Sequence, residues 1–252
     1  MDSRHGAITI HPADVHRARV ANHSNPMSAD VIISYDGTPN DDDALALGKM
    51  LARAGVTLAL AYVRHSREFD PRREELAQHD ADMRLARGAA FLNDPDVARH
   101  VIVGAATGTT LGQLAASEGA SLIVFGSDYR TPPGHADPGA SAQQLLEGGS
   151  VAVAIAAAGL RRQLESDSTF KSIAVPLAGP RNDAARQTAR ALAEKLGATV
   201  AESRSEPADM IVVGSQSGAP AGQIVLGGEV RSELNGARSS VIVLPAEAPL
   251  SF

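Results

Sequence analysis

The chain has 252 residues, a formal net charge of −6 and no cysteine. The missing cysteines exclude disulfides and thiol catalysis, and the acidic balance excludes nucleic acid as a main partner, because phosphate backbones are held by a basic surface. Hydrophobic residues make up 44% but aromatic ones only 3%, so the core must be built from Ala, Val, Leu and Ile, which suits helices packed closely on a parallel sheet.

Residues 1–29 show neither helical nor strand periodicity and read as a flexible leader, with Met27 as an alternative start. Their histidines, His5, His11, His16 and His23, are irregularly spaced and read as a solvated tail rather than a metal site. No apolar stretch suggests a signal peptide, and no run approaches the roughly 20 residues that span a bilayer. The expectation is a cytoplasmic protein without a membrane partner.

From Val31 the pattern becomes regular. Val31–Tyr35 is an apolar run that ends in Asp36-Gly37-Thr38-Pro39, a buried strand followed by a turn. Asn40–Asp43 supply N-cap candidates and first-turn acids, and Ala44, Leu45, Leu47, Met50 and Leu51 follow at helical spacing to Gly55. The spacing then predicts a strand over 56–63, a long charged helix over 71–92, a strand over 100–103 and a helix over 109–118. A strand over 121–125 ends in Gly126-Ser127. After a Pro/Gly-rich loop come a short helix over 141–147 and a strand over 151–156. Strands alternating with helices imply a parallel sheet with right-handed crossovers.

After a polar stretch the pattern restarts. Val31-Ile-Ile-Ser-Tyr-Asp-Gly-Thr-Pro-Asn40 aligns with Ile173-Ala-Val-Pro-Leu-Ala-Gly-Pro-Arg-Asn182, placing Gly37 on Gly179 and Asp36 on Ala178 at an offset of 142. Gly55 falls on Gly197 at the same offset. Farther on, Ile123-Val-Phe-Gly126-Ser127 aligns with Ile211-Val-Val-Gly214-Ser215, and Val151–Ile155 with Ser239–Val243, at an offset of 88. The second copy is therefore shorter by the difference, 54 residues, an interval that holds a helix, a strand and a helix in the first copy. Self-similarity over two blocks with one clean deletion marks an internal repeat. In a doubly wound sheet ordered 3-2-1-4-5, strand 3 is an edge strand, so its loss leaves a continuous four-stranded sheet. It also uncovers a sheet edge and face that the first domain, the linker or a partner must hide.

A spaced glycine pattern recurs in both copies. In the first it runs Gly126, two residues, Tyr129, nine residues, Gly139-Ala140; in the second it runs Gly214, two residues, Ser217, nine residues, Gly227-Gly228. With Asp36-Gly37-Thr38 and the segment Ala142–Val153, this resembles the universal stress protein family, whose nucleotide motif is G-x2-G-x9-G-[ST]. The resemblance implies an α/β fold: a three-layer, doubly wound parallel sheet ordered 3-2-1-4-5 in residues 30–158, a linker over 159–169, and a shortened four-stranded copy in 170–246. It implies a regulatory stress-response protein, not an enzyme, that binds ATP or AMP in the first domain only, with any role of Mg left open. The cofactor-binding residues carried over are Asp36, Gly37, Val63, Gly126, Ser127, Gly139, Ala140 and Ser141. Asp36 and the backbone at Val63 would cradle adenosine, the glycines would let backbone approach phosphates, and N–H groups at the start of the last helix would bind the anion. The family also pairs last strands antiparallel, which implies an intramolecular pseudo-dimer through Val151–Ile155 and Val241–Leu244, with a homodimer of whole chains as a further partner state.

The sequence departs from the family pattern at the second motif glycine (Tyr129, Ser217) and at the hydroxyl position (Ala140, Gly228), for which Ser141 or Gly218 stands one residue on. A Cβ at Tyr129 clashes if the loop needs a positive φ. Simpler roles stand beside the functional ones. Asp36 would cap the following helix, Gly126 and Gly214 would serve tight turns, and Asp41-Asp42-Asp43 would complement a helix dipole. His65 and His135 would be solvated, as would Arg64 and Arg130 where they do not meet phosphates. Ser127 and Ser215 lack a nucleophile frame. The alternative function is a nucleotide-independent scaffolding or protein-interaction module.

Overall fold

The computed structural model describes residues 30–164, 170–176, 182–202 and 208–252. The expected leader, Ala178 and Gly179 lie outside the described residues. The first half runs β1 (Val31–Ser34), α1 (Pro39–Ala52), β2 (Leu58–Arg64), α2 (Pro71–Leu92), β3 (Ala98–Val103), α3 (Thr107–Glu118), β4 (Leu122–Gly126), α4 (Ala140–Leu146) and β5 (Ala152–Ala156). A single helical turn, α5 (Arg161–Leu164), occupies the start of the expected linker. The second half runs β6 (Ser172–Ala174), α6 (Asp183–Leu196), β7 (Thr199–Ala201), β8 (Met210–Gly214), α7 (Gly228–Gly236) and β9 (Ser240–Leu244).

All nine strands join one sheet in the order β3-β2-β1-β4-β5-β9-β8-β6-β7. The first half has the order 3-2-1-4-5, all parallel, and the second has the same order without the third strand. The halves meet where β5 and β9 pair antiparallel: Val153 opposite Val243, Ala154 opposite Ile242, and Ile155 opposite Val241. The repeat offset of 88 carries Val153 to Val241, Ala154 to Ile242 and Ile155 to Val243. The three pairs thus exchange among themselves about Ala154–Ile242, which is a pseudo-two-fold. Two loop bonds obey it as well: Ala136 N–H donates to Ala237 O (3.3 Å), and Ile224 N–H donates to Gly149 O (2.8 Å).

Alternate side chains of the strands feed two cores. One lies under α1, α2 and α6 and includes Ile33, Leu60, Val124, Ala154, Met210 and Ile242. The other lies under α3, α4 and α7 and includes Ile32, Ile123, Val153, Val213 and Val243. Both cores run across the β5–β9 junction, so the junction is buried on both faces, as in an obligate interface.

The shortened copy meets its missing cover with smaller side chains on one face and with another element of the chain on the other. On the face that α3 covers in the first half, Ile32 becomes Ala174, and Ala59 stays small as Ala201. Ile123 stays as a half-buried Ile211. In the layer that α2 shares with α1, the second half has its C-terminal tail: Leu250 N–H donates to the buried Thr188 Oγ1 (2.8 Å), and Leu250 and Phe252 join the core. Among the described residues, the large apolar side chains that remain exposed, Phe69, Leu76, Met83, Val103 and Tyr129, all belong to the first half. No helix among the described residues is long and apolar enough to cross a membrane.

Candidate functional site

Strand order reverses between β1 and β4, and a crevice opens outside the C-terminal ends of strands at such a point. Here it is a cavity of about 370 Å³. Tyr35 and Asp36 from the end of β1, Tyr62 and Val63 from β2, and Phe125 and Gly126 from β4 form its floor and walls. Gly139, Ala140, Ser141 and Ala142, from the start of α4, form the far side. Six of the eight residues singled out from the sequence therefore line one cavity: Asp36, Val63, Gly126, Gly139, Ala140 and Ser141.

The other two do different work. The Gly37 carbonyl accepts from the Arg87 guanidinium. Ser127 is buried; its Oγ donates to Ala156 O (2.6 Å) and accepts from Asp137 N–H (3.2 Å), tying the motif loop to the end of β5.

The two glycines that line the cavity differ in kind. A Cβ on Gly126 would fall 2.2 Å from the backbone oxygen of Asn40. This glycine lets the first turn of α1 lie against β4, so neither phosphate approach nor a tight turn is needed to explain it. Gly139 is the N-cap of α4 with ordinary extended angles, and a Cβ there would meet nothing within 4 Å. No side chain caps α4, so the first-turn N–H groups of Ala140, Ser141 and Ala142 face the crevice without a helical partner. Tyr129 is not in the left-handed region, so the clash expected of its Cβ does not arise. Its ring is 72% exposed and packs on the Arg130 guanidinium at 4.9 Å, outside the cavity.

The acids at the start of α1 divide their roles. Thr38, not Asp36, is the N-cap, in a reciprocal capping box with Asp41. Asp36 Oδ1 accepts from Thr38 N–H (3.0 Å). Asp41 lines the crevice and accepts from Asp36 N–H (3.2 Å), Thr38 N–H (3.1 Å) and Thr38 Oγ1–H (2.7 Å). Burial, and after it the neighbouring Asp36 carboxylate, push the Asp41 pKa up to about 7. Asp42 accepts from the Tyr35 hydroxyl (3.4 Å). Asp43 is buried and accepts from Gly159 N–H (2.8 Å), Arg161 N–H (2.8 Å) and the Arg161 guanidinium (2.9 Å), so it anchors the exit from β5. The dipole reading holds only in part: these acids are mainly partners of specific donors. Among the described residues, no group of three or more His, Asp and Glu side chains could hold a metal ion.

Arg84 and Tyr62, two residues of the lining, went unnoticed in the sequence. Arg84, on α2, reaches the crevice and donates to the Tyr62 hydroxyl (2.9 Å), its guanidinium 5.1 Å from the Tyr62 ring. The helical period places Arg84 beside the buried Ala81 and Leu85, a weak signal. Arg64 is buried and bidentate to Glu74 (2.6 and 3.0 Å), which raises the Arg64 pKa and lowers that of Glu74. His65 lines the crevice, while His135 sits on the loop that Ala158 N–H clasps (2.9 Å). In chemical terms, the crevice offers an acceptor at Asp36, a cation at Arg84, apolar walls at Val63 and Phe125, and N–H and hydroxyl donors at Ser141.

The universal stress protein family model matches residues 27–157. Among solved structures, the chain is similar to a universal stress protein from Archaeoglobus fulgidus DSM 4304 (15% identity, TM-score 0.62, 86% of this chain and 98% of that one). It is also similar to a functionally unknown protein from Pseudomonas aeruginosa PAO1 (15% identity, TM-score 0.55, 89% and 95%). These likenesses extend the shared fold over both halves. No curated protein matches in sequence.

Proposed function

The chain belongs to the universal stress protein family, and we propose that its first half takes ATP or AMP into the crevice as a regulatory signal, with the second half as a structural pseudo-partner. The observation that carries this reading is the open space in front of the uncapped α4 start at Gly139, with Asp36 across the cavity. The volume lies in the range of small-molecule sites, roughly 300–1,000 Å³. Asp36 would accept from ribose hydroxyls, Val63 and Phe125 would flank the base, and the N–H groups of α4 with the Ser141 hydroxyl would meet phosphate. Ser141 thereby supplies the hydroxyl that Ala140 lacks. We assign the crevice no catalytic step. The second reading, a scaffold without nucleotide, draws on the carboxylates of Asp36 and Asp41 side by side in the crevice, which oppose an anionic ligand.

Calorimetry with ATP and AMP tests the proposal. Wild type should give binding heat. Asp36→Ala should weaken binding by about tenfold or more, and Gly139→Val, which puts a side chain into the open space, should do the same. Absence of heat and of any thermal shift at millimolar nucleotide would leave the scaffold reading.

A further inference from the structure

A second cleft of about 370 Å³ lies between the two halves and shares no lining residue with the crevice. It is bounded by the exit from β5 and α5 on one side, and on the other by the α7–β9 turn and the approach to β8. We propose that this cleft is a binding site for a phosphate group, held by Arg162 from the first half and Arg238 from the second.

The arginines are distinctive because no described residue engages their guanidinium groups in a hydrogen bond or ion pair, and both are exposed. Other arginines are occupied: Arg161 is bound to Asp43 and Pro39 O, and Arg190 to Glu202. Among the described residues, one acid lines the cleft, Asp209. Its Oδ2 accepts from Lys171 N–H (2.7 Å), Ser172 N–H (3.0 Å) and Ser172 Oγ–H (3.1 Å), so it is engaged in fastening the start of β6. Ser239 and Ser240 add hydroxyls. Ser240 Oγ already accepts from Ala157 N–H (3.0 Å), which leaves its own O–H to donate. The cleft thus presents two forked cations and two hydroxyl donors, a set that fits the several acceptor oxygens of a phosphate.

The repeat provides an internal control. The pseudo-two-fold carries Arg162 to Leu250 and Arg238 to Ser150. The backbone frame at the related position is unchanged: Gly134 N–H donates to Ala158 O, and Gly222 N–H to Ala246 O, both at 2.8 Å. Only one of two like-built positions carries the arginines. Because they come from opposite halves, a phosphate between them would cross-link the halves and stabilise the junction by mass action.

The test uses the full chain with inorganic phosphate, pyrophosphate and AMP as separate probes, against chloride at matched ionic strength. Phosphate should bind by calorimetry and raise the melting temperature. The double variant Arg162→Gln/Arg238→Gln should lose affinity by about tenfold or more, while Asp36→Ala should leave phosphate affinity unchanged. A response to AMP that the double variant loses would identify a phosphoester as occupant; a response only to the inorganic ions would identify free phosphate. Equal phosphate affinity in wild type and double variant overturns the proposal, and so does its loss in Asp36→Ala, which would place the ion in the crevice. As the arginines are exposed, the double variant should keep the wild-type urea midpoint measured in chloride.

Discussion

The two halves repeat their architecture closely and their chemistry hardly at all. Ser127 and Ser215, each following a strand-ending glycine, make the same bonds: one donates to Ala156 O and accepts from Asp137 N–H, the other donates to Leu244 O (3.0 Å) and accepts from Val225 N–H (3.2 Å). Each pair of partners is related by the repeat offset. By contrast, Asp43 becomes Ala185, Ile32 becomes Ala174, and Arg162 becomes Leu250. What persists are the contacts that shape the β4–α4 type of loop and the β5–β9 junction. What diverges are groups whose contacts lie outside that frame. A residue retained in both copies is thus better read first as a builder of the fold.

The strongest way to break the comparison is to separate the halves. A fragment 168–252 loses β5, which pairs with β9, and loses the core contacts across the junction. At this size the remaining core is marginal. The fragment should show no cooperative urea transition by circular dichroism; a cooperative one would make the second half an independent unit.

The next effect isolates one divergent contact. Asp43→Ala gives the first half the residue that the second half has at this place. It leaves Gly159 N–H, Arg161 N–H and the Arg161 guanidinium without their buried acceptor. The cost should be about 2–3 kcal/mol, as for lost hydrogen bonds to a buried charge, read as a lower urea midpoint at unchanged m-value. A change within 0.5 kcal/mol would mean that the β5 exit does not depend on Asp43.

These cases also show what was legible in the sequence. The strands were, because buried parallel strands are short apolar runs between turn residues. The repeat was, because the deletion is clean and both offsets are constant. The crevice was legible mainly through the family motif. Its reasons were not: Gly126 is needed for the Asn40 carbonyl, a contact between elements far apart in the chain, and Tyr129 does no harm because its φ is ordinary. Arg84 was missed because its reach depends on how α2 lies over the sheet. Asp43 finds partners 116 residues or more onward, and the arginines of the second cleft come together only through the β5–β9 junction.

A smaller effect probes the crevice through pH. Asp41 ionises at about 7 in the fold against 3.8 for a free side chain. Between these values the folded chain keeps a proton that the unfolded chain has released. Stability from this group therefore falls as pH rises from about 4 to about 7 and is level above that. Asp41→Asn keeps an acceptor for Thr38 but does not titrate, so it should gain on wild type across the window by on the order of 1–2 kcal/mol. Nucleotide affinity should fall over the same range in wild type alone, as the crevice gains a negative charge. Parallel pH profiles for the two proteins would assign the effect to another group, with His65, Asp36 and Arg84 the nearest in the crevice.

The smallest effect sharpens the comparison at one backbone position. Gly159, after β5, has φ +86, and the offset of 88 places Glu247 there after β9, with φ +58. The turn is thus preserved in the second half although its residue is no longer suited to it. A left-handed conformation costs a residue with a Cβ roughly 1–2 kcal/mol. Glycine removes that strain but adds freedom to the unfolded chain. Glu247→Gly should therefore stabilise the protein by about 0.5–1 kcal/mol, while Gly159→Glu should destabilise it by a similar or larger amount, because Gly159 N–H must also stay aimed at Asp43. Urea midpoints of the two variants, moving in opposite directions, would show that one turn was inherited by both halves and that only the first kept the residue it requires. If Glu247→Gly is neutral or destabilising, the Glu247 side chain contributes contacts to the groove it lines beside Asp183 and Gln187 that offset its backbone strain.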